Sequence, residues 1–152
     1  MFERFARPAR IAIDDARYEA GRRGDRRIGT EHLLIALLRD DELAGIVGVD
    51  AETAHDTADQ LDRSALAAIG LEADPAPTAH AALGTRVPLT AGVKAVLHQT
   101  ILTATAEKAR TITTRHMMLA LLDRREPDPA AALLAALPID PQATRERLSA
   151  AA

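Results

Sequence analysis

Apolar residues recur with the spacing of one helix face along most of the chain. Residues 8–20 predict a first helix, and a second is predicted from Thr30, whose hydroxyl can cap the first free amides. Residues 40–48 allow a short helix, and residues 50–70 predict a longer one that Asp50 caps. The apolar positions of the three long patterns are Ala9, Ala12, Ile13, Ala16, Ala20, Leu33, Leu34, Leu37, Leu38, Ala54, Ala58, Leu61, Ala65 and Ile69.

The same pattern returns 84 positions later. Thr90 caps a predicted helix, and the segment Ile-Gly-Thr-Glu-His-Leu-Leu from Ile28 is repeated as Ile-Thr-Thr-Arg-His-Met-Met from Ile112. Two Asp-Pro pairs, at residues 128–129 and 140–141, then open two further helices, because proline suits the first helical position. The offset there is 90, so the first repeat is six residues shorter between its second and fourth helices.

Matched spacings over two halves predict a tandem repeat rather than a chance motif. We therefore expect an all-α fold of eight helices, built as two four-helix repeats that bury their apolar faces against each other. The predicted boundaries within a single domain of residues 1–152 are 2–70 for repeat one, 71–88 for a linker rich in proline, and 89–150 for repeat two.

Composition narrows the function classes. The chain has 152 residues, of which 47% are hydrophobic but only 2% aromatic, so the core must be aliphatic. A net charge of −3 lacks the basic excess of a general nucleic-acid binder. The absence of cysteine excludes disulfides, thiolate metal sites and cysteine nucleophiles. Because no apolar run is long enough to span a bilayer, we expect a cytoplasmic protein without membrane contact.

The opening MFERF, the IGTEHLLIALL and ITTRHMMLALL segments and the proline-bearing linker together resemble the amino-terminal double repeat (Clp N or Clp R) of the Clp ATPases, the ClpC type most closely. The resemblance implies an eight-helix domain that sits on a hexameric unfoldase and docks adaptors, substrates and cyclic-peptide antibiotics. The chain has no G-x-x-x-x-G-K-[ST] phosphate loop, so it cannot act as the motor. We expect a stand-alone protein without AAA+ modules.

The resemblance also implies one phosphoarginine pocket in each repeat. Each would combine an anion site at the amino end of the repeat's first helix with the glutamate of the GTEH segment. Repeat one keeps Glu31 but has Ala6 where the family has a capping threonine, and repeat two keeps Thr90 but has Arg115 in place of the glutamate. We therefore expect two degenerate pockets, of which the second is lost outright through charge repulsion.

A second family surface lies between the amino-terminal phenylalanine and the first helix of the second repeat, where cyclic peptides dock. Phe2 is retained, Lys94 matches the family's lysine, and His98, four residues on, replaces its glutamate. Two interpretations of Phe2 stay open, ligand contact and simple packing.

No residue pattern indicates catalysis, a metal site or a cofactor. Both serines lie outside any nucleophile motif, and His55, His80 and His98 lack metal-ligand spacing. The equivalent positions of His32 and His116 predict ring hydrogen bonds to nearby backbone.

These observations predict a monomeric, non-catalytic protein- and peptide-binding module accessory to a Clp protease system. It would bind adaptors, substrates or cyclic-peptide antibiotics, as a competitor or sequestering decoy for the ClpC amino domain. The alternative is a regulatory nucleic-acid or metabolite binder that uses the basic loop from Arg22 to Arg27, which we otherwise expect to be solvated.

Overall fold

The structure is a computed structural model that describes residues 2–72 and 87–152, and those residues form eight helices. The predicted all-α, eight-helix fold is confirmed. Most of the predicted linker 71–88, and His80 with it, lies outside the described residues. The helices are α1 (Arg7–Arg22), α2 (Thr30–Leu37), α3 (Asp41–Val47), α4 (Ala51–Ala68), α5 (Ala91–Ala106), α6 (Thr114–Leu122), α7 (Pro129–Ala136) and α8 (Pro141–Ala150).

Local capping fixes the start of most helices. The side chains of Asp50, Thr90, Asp128 and Asp140 accept hydrogen bonds from first-turn amides of α4, α5, α7 and α8, as the sequence predicts. Asp40 does the same for α3. The amide of Thr53 donates to Asp50 at 2.8 Å and holds the pKa of that carboxyl below its usual range.

The predicted capping role of Thr30 is wrong. Thr30 is the first residue of α2, its N-cap is Gly29, and the Thr30 hydroxyl instead donates to Asp128 Oδ1 at 2.6 Å. The Gly29 amide is satisfied by His32 Nδ1 at 2.8 Å. The predicted backbone hydrogen bond of His32 is thus confirmed. The equivalent bond in repeat two is from the Thr113 amide to His116 Nδ1, at 2.9 Å.

The equivalent helices α2 and α6 form the centre of the core. Every residue of α2 except Glu31 is buried, and α6 is exposed only in part at Arg115 and Leu122. Helix α2 packs against α1, α4, α5, α6 and α7, so it contacts elements of both repeats. The small alanines on the inner face of α1 let this helix approach α2 closely, and they are fully buried, as predicted.

Helix α4 departs from its predicted burial. Ala54 and Ala58 are buried, but Ala65 is exposed and Ile69 is 72% exposed. The helix has 18 residues, whereas its equivalent α8 has ten. Its last turns therefore continue a helical pattern of apolar residues beyond the part that packs on the core.

The two repeats are joined by an exchange of short extended segments. The residues before α5 pair with the loop before α2: Ile28 N donates to Pro88 O at 3.0 Å and Thr90 N to Ile28 O at 3.0 Å. The residues before α1 pair in the same way with the loop before α6, through Ile112. Each repeat thus places the start of its first helix against the second helix of the other repeat.

Candidate functional site

A cavity of about 570 Å³ lies where α5 of repeat two begins beside α2 of repeat one. We call it the Glu31 cavity. Its walls come from three segments: the loop and first turn at residues 25–32, the first turn of α5 at residues 90–92, and the α6–α7 connection at residues 124–129. The extended-segment exchange brings the first two together, because Thr90 is hydrogen-bonded to Ile28.

The amino end of α5 provides an anion-binding wall. Thr90 caps the helix by accepting the Val93 amide at 3.3 Å, while Ala91 and Gly92 line the cavity. Amides in the first turn of a helix have no intrahelical acceptor, and the helix dipole adds partial positive charge there. This end of α5 can therefore bind a phosphoryl group.

Glu31 provides the opposite kind of contact. Its side chain is 22% exposed, yet its Oε2 atom is buried and accepts no hydrogen bond within the part of the chain that the structure describes. An unpartnered carboxylate oxygen is costly unless a donor reaches it. A guanidinium entering the cavity would supply that donor with charge assistance.

Gly29 makes room for the Glu31 carboxylate. A Cβ atom at position 29 would lie 2.7 Å from Glu31 Oε1, closer than van der Waals contact allows. The backbone here has φ −96° and ψ 171°, which any residue can adopt. Glycine at position 29 therefore leaves the space in which the Glu31 carboxylate lies, and backbone strain plays no part.

Asp25, Glu31 and His32 place three possible ligand atoms within 4.8 Å of one another, which suggests a metal site. The hydrogen bonds of His32 argue against one. Because Nδ1 accepts the Gly29 amide, the neutral ring carries its proton on Nε2, which donates to Asp25 at 2.8 Å. A metal ion at Nε2 would have to displace that proton and would leave the ring with no proton on either nitrogen.

The pseudo-equivalent cavity, of about 400 Å³, lies between the start of α1 and the start of α6. We call it the Arg115 cavity. Ala6 and Pro8 line it where Thr90 and Gly92 line the other, so the capping hydroxyl is missing and proline removes one amide donor. Thr113 stands in the place of Gly29.

Arg115 itself is engaged by a carboxylate. Its guanidinium donates to both carboxylate oxygens of Glu107, and His116 Nε2 lies 2.9 Å from Glu107 Oε2. The hydrogen bond from Arg115 is the largest effect and holds the pKa of Glu107 below its usual range; burial opposes it, and the hydrogen bond from His116 lowers the pKa to a smaller extent. A cation already paired in this way offers no site for another guanidinium.

The structure corrects the predicted pairing of the pocket halves. Glu31 does not lie with Ala6, nor Thr90 with Arg115; Glu31 and Thr90 line one cavity, and Ala6 and Arg115 line the other. The reason is the exchange of extended segments, which joins the first helix of each repeat to the second helix of the other. One cavity therefore contains both Glu31 and Thr90, and the other contains Arg115 and Ala6 at the equivalent positions.

The residues of the predicted apolar surface are placed separately. Phe2 is half-buried and packs edge-on against buried Phe5, with ring centroids 5.2 Å apart, so it has a packing role. Lys94 and His98 are exposed one turn apart on α5. Within residues 2–72 and 87–152, no hydrogen bond, salt bridge or ring contact joins Phe2 to either of them.

The loop from Arg22 to Arg27 is not the continuous solvated stretch that the sequence predicts. Arg22 lies 3.0 Å from His55 Nε2, and Arg23, 7% exposed, pairs with Asp59 and Asp62 of α4. Only Arg26 and Arg27 are exposed, and both line the Glu31 cavity. Two of its four cations are thus structural, which weakens the nucleic-acid interpretation.

Sequence reasoning missed Gly29, Asp128 and the arginines of the α6–α7 connection as parts of this site. Asp128 caps α7, accepts the Thr30 hydroxyl and pairs with Arg124 Nε at 3.0 Å. The longer connection after α6 is the feature of the sequence that could have drawn attention to Asp128 and these arginines. None of the helices in the described residues is long and apolar enough to cross a membrane.

Comparison with solved structures shows the same fold in three proteins. The amino-terminal domain of the chaperone ClpD from Arabidopsis thaliana is 21% identical, with a TM-score of 0.75 over 99% of both chains. A chain from a malarial protein secretion system is 16% identical, with a TM-score of 0.67 over 97% of this chain and 94% of that chain. The amino-terminal domain of Hsp104 from Candida albicans is 16% identical, with a TM-score of 0.66 over 96% of this chain and 89% of that chain.

No curated protein matches the sequence. The Clp repeat (R) N-terminal domain family does match, over residues 4–83. This match spans more than half of the sequence and agrees with the ClpD and Hsp104 folds. The chain therefore belongs to the Clp repeat amino-terminal domain family.

Proposed function

We propose that this domain is a non-catalytic module that binds arginine-phosphorylated protein segments through the Glu31 cavity, as an accessory to a Clp protease system. Clp amino-terminal domains are protein-interaction modules of Clp ATPases, which supports the general class. The single observation that carries the specific proposal is the buried, unpartnered Oε2 of Glu31 in a cavity that also contains the open amino end of α5.

Phosphoarginine has two recognisable ends, a guanidinium and a phosphoryl group. Glu31 would accept from the guanidinium, while the amides of Ala91 and Gly92 would donate to phosphoryl oxygens. Because the Arg115 cavity has an arginine at the position equivalent to Glu31 and lacks a capping hydroxyl, it would not take part. The domain would thus bind one phosphoarginine rather than two.

A second part of the proposal concerns apolar peptides. Phe2, Lys94 and His98 would contact a cyclic peptide or a hydrophobic segment of a partner, as the family resemblance implies. With either ligand, the domain would compete with the amino domain of a ClpC-type ATPase for adaptors or substrates, or sequester antibiotic peptides. Exposure of Lys94 and His98 and the partial exposure of Phe2 are compatible with this role.

Calorimetric titration with free phosphoarginine tests the proposal. The parent should bind one equivalent, and Glu31→Gln should weaken binding at least tenfold, since losing a charge-assisted hydrogen bond costs about 1.5–3 kcal/mol. Glu107→Gln is the matched control, because it makes the same change beside the equivalent histidine of the other cavity. Two equal sites, binding unaffected by Glu31→Gln, or no binding would each overturn the assignment.

A functional measurement follows from the accessory role. Excess domain should slow adaptor-dependent degradation by a ClpC-type protease, and the Glu31→Gln variant should do so less when the substrate is arginine-phosphorylated. Equal inhibition of phosphorylated and unphosphorylated substrates by both proteins would contradict the role given to the Glu31 cavity.

A further inference from the structure

The Glu31 cavity has a rim of arginines that the Arg115 cavity does not match. Arg26 and Arg27 of the loop before α2 line the Glu31 cavity, and so do Arg124 and Arg125 of the α6–α7 connection. We infer that this rim selects phosphoarginine segments flanked by aspartate or glutamate residues, an inference that rests on the function proposed above. The Arg115 cavity is lined by two arginines, Arg110 and Arg115, and Arg115 is already paired with Glu107.

Three of the four rim arginines are available to a ligand. Arg26, Arg27 and Arg125 are exposed, and their side chains make no hydrogen bond or salt bridge with the residues that the structure describes. Arg124 is different, because its Nε donates to Asp128 at 3.0 Å. Unpaired guanidiniums around one opening can each bind a carboxylate in bidentate geometry.

Half of the rim arises from the length difference between the repeats. Asp40 and Asp128 are equivalent, since each caps the next helix and accepts a hydroxyl hydrogen bond, from Thr114 and Thr30 respectively. Residues 38–40 connect α2 to α3, but residues 123–128 connect α6 to α7. The longer connection carries Arg124 and Arg125, and both line the cavity that retains the binding groups.

The carboxylates that line the cavity favour a peptide over a nucleic acid as the partner. Asp25, Glu31 and Asp128 also line the cavity, and three carboxylates would repel a polyphosphate backbone. A peptide with one guanidinium, one phosphoryl group and flanking carboxylates can place each charge against its complement. The expected ligand class is therefore an acidic segment that carries a single phosphoarginine.

The test uses two peptides with a central phosphoarginine, flanked by aspartates in one and by serines at the same positions in the other. The parent should bind the aspartate peptide about tenfold more tightly in 50 mM salt, equivalent to about 1.4 kcal/mol. In 500 mM salt the difference should shrink, because exposed charges are screened. Combined Arg26→Gln, Arg27→Gln and Arg125→Gln substitutions should abolish the preference, and Arg110→Gln, at the other cavity, should preserve it.

The possible outcomes separate the two proposals. If the parent binds both peptides equally, the rim does not select flanking acids, although the proposed function stands. If it binds neither peptide, both proposals are wrong. If a single-stranded oligonucleotide displaces the aspartate peptide with similar affinity, the rim binds nucleic acid and the inference is overturned.

Discussion

Glu31 and Thr90 belong to different repeats and line the same cavity. The backbone bond from Thr90 N to Ile28 O, at 3.0 Å, holds the start of α5 against the loop that leads to Glu31. Their counterparts Arg115 and Ala6 are brought together in the same manner at the other cavity. The two departures from the family pattern are therefore concentrated in one cavity, and the other retains both binding groups.

Replacing Gly29 by alanine should lower the affinity for phosphoarginine with little change in the stability of the fold. The new Cβ would displace the Glu31 carboxylate, so phosphoarginine affinity should fall about tenfold, as for loss of a charge-assisted hydrogen bond. Stability should change by less than about 1 kcal/mol, because the freedom that alanine removes from the unfolded chain is offset by its poorer fit at the N-cap of α2. Calorimetry and urea denaturation measure the two quantities.

Gly45→Ala is the control for this change. Gly45 lies within α3, and a Cβ there would meet nothing within 4 Å. This variant should gain stability through helix propensity while its phosphoarginine affinity stays at the parent value. Unchanged affinity in Gly29→Ala as well would show that the position of the Glu31 carboxylate is unimportant.

Arg115→Glu alone should not create a second phosphoarginine site. Thr113 carries a side chain where Gly29 has none, and its backbone, with φ −110° and ψ 169°, is close to that of Gly29. A glutamate at position 115 could therefore not lie as Glu31 does. The combined Ala6→Thr, Thr113→Gly and Arg115→Glu variant should bind a second, weaker equivalent, since Pro8 still removes an amide donor.

The number of bound equivalents in a calorimetric titration decides this prediction. Two equivalents for Arg115→Glu alone would mean that Thr113 does not obstruct the second cavity. One equivalent for the combined variant would mean that the capping and carboxylate groups are insufficient to build the site.

Arg115→Gln should reduce stability at neutral pH but not in strong acid. Arg115 holds the pKa of Glu107 below its ordinary value of 4.5. A lowered folded-state pKa contributes stability that is present above about pH 4.5 and is lost as the pH falls through the folded value. Because Glu107 is 36% exposed, solvent screening limits the effect to about 1 kcal/mol or less.

Urea denaturation at pH 7, 5 and 2.5 measures this difference between parent and variant. The gap should be largest at pH 7 and close at pH 2.5, with Arg110→Gln showing no comparable trend. A gap that is constant with pH would assign the effect of Arg115 to packing rather than to its charge.

Phe2→Ala should weaken binding of an apolar cyclic peptide, by about 2 kcal/mol or more if Phe2 is an anchor. It should also cost about 0.5–1.5 kcal/mol of stability, because the edge-on contact with Phe5 is lost. Phe2→Leu keeps apolar bulk without the ring and tests whether the aromatic contact matters. If Phe2→Ala binds the peptide as well as the parent, Phe2 serves packing alone.

His98→Glu restores the acidic residue that the family has at this position. The substitution adds a negative charge on the exposed face of α5, so the variant should bind a cationic peptide more tightly than the parent does. Equal affinities of parent and variant in a binding titration would exclude contact between His98 and the ligand.

The repeat, the number of helices and the residues that cap most helices could all be predicted from the sequence. These features are local. Asp50, Asp128 and Asp140 each precede a helix and accept hydrogen bonds from its first-turn amides, and this interaction does not depend on distant parts of the chain. The inner faces of α1 and α5 were equally predictable, because apolar spacing indicates which side of a helix is buried.

Which groups share a cavity depends on contacts between the two repeats, and the sequence pattern does not specify those contacts. The sequence places Glu31 at the start of the second helix of repeat one and Thr90 at the start of the first helix of repeat two. Periodicity does not say whether a first helix begins beside the second helix of its own repeat or of the other repeat. The backbone hydrogen bonds at Ile28 and Ile112 make that choice, and they join residues far apart in the chain. The exposed end of α4 was mispredicted for the same reason. Helical spacing of apolar residues indicates that they share one face of the helix, but it does not indicate whether another helix covers that face.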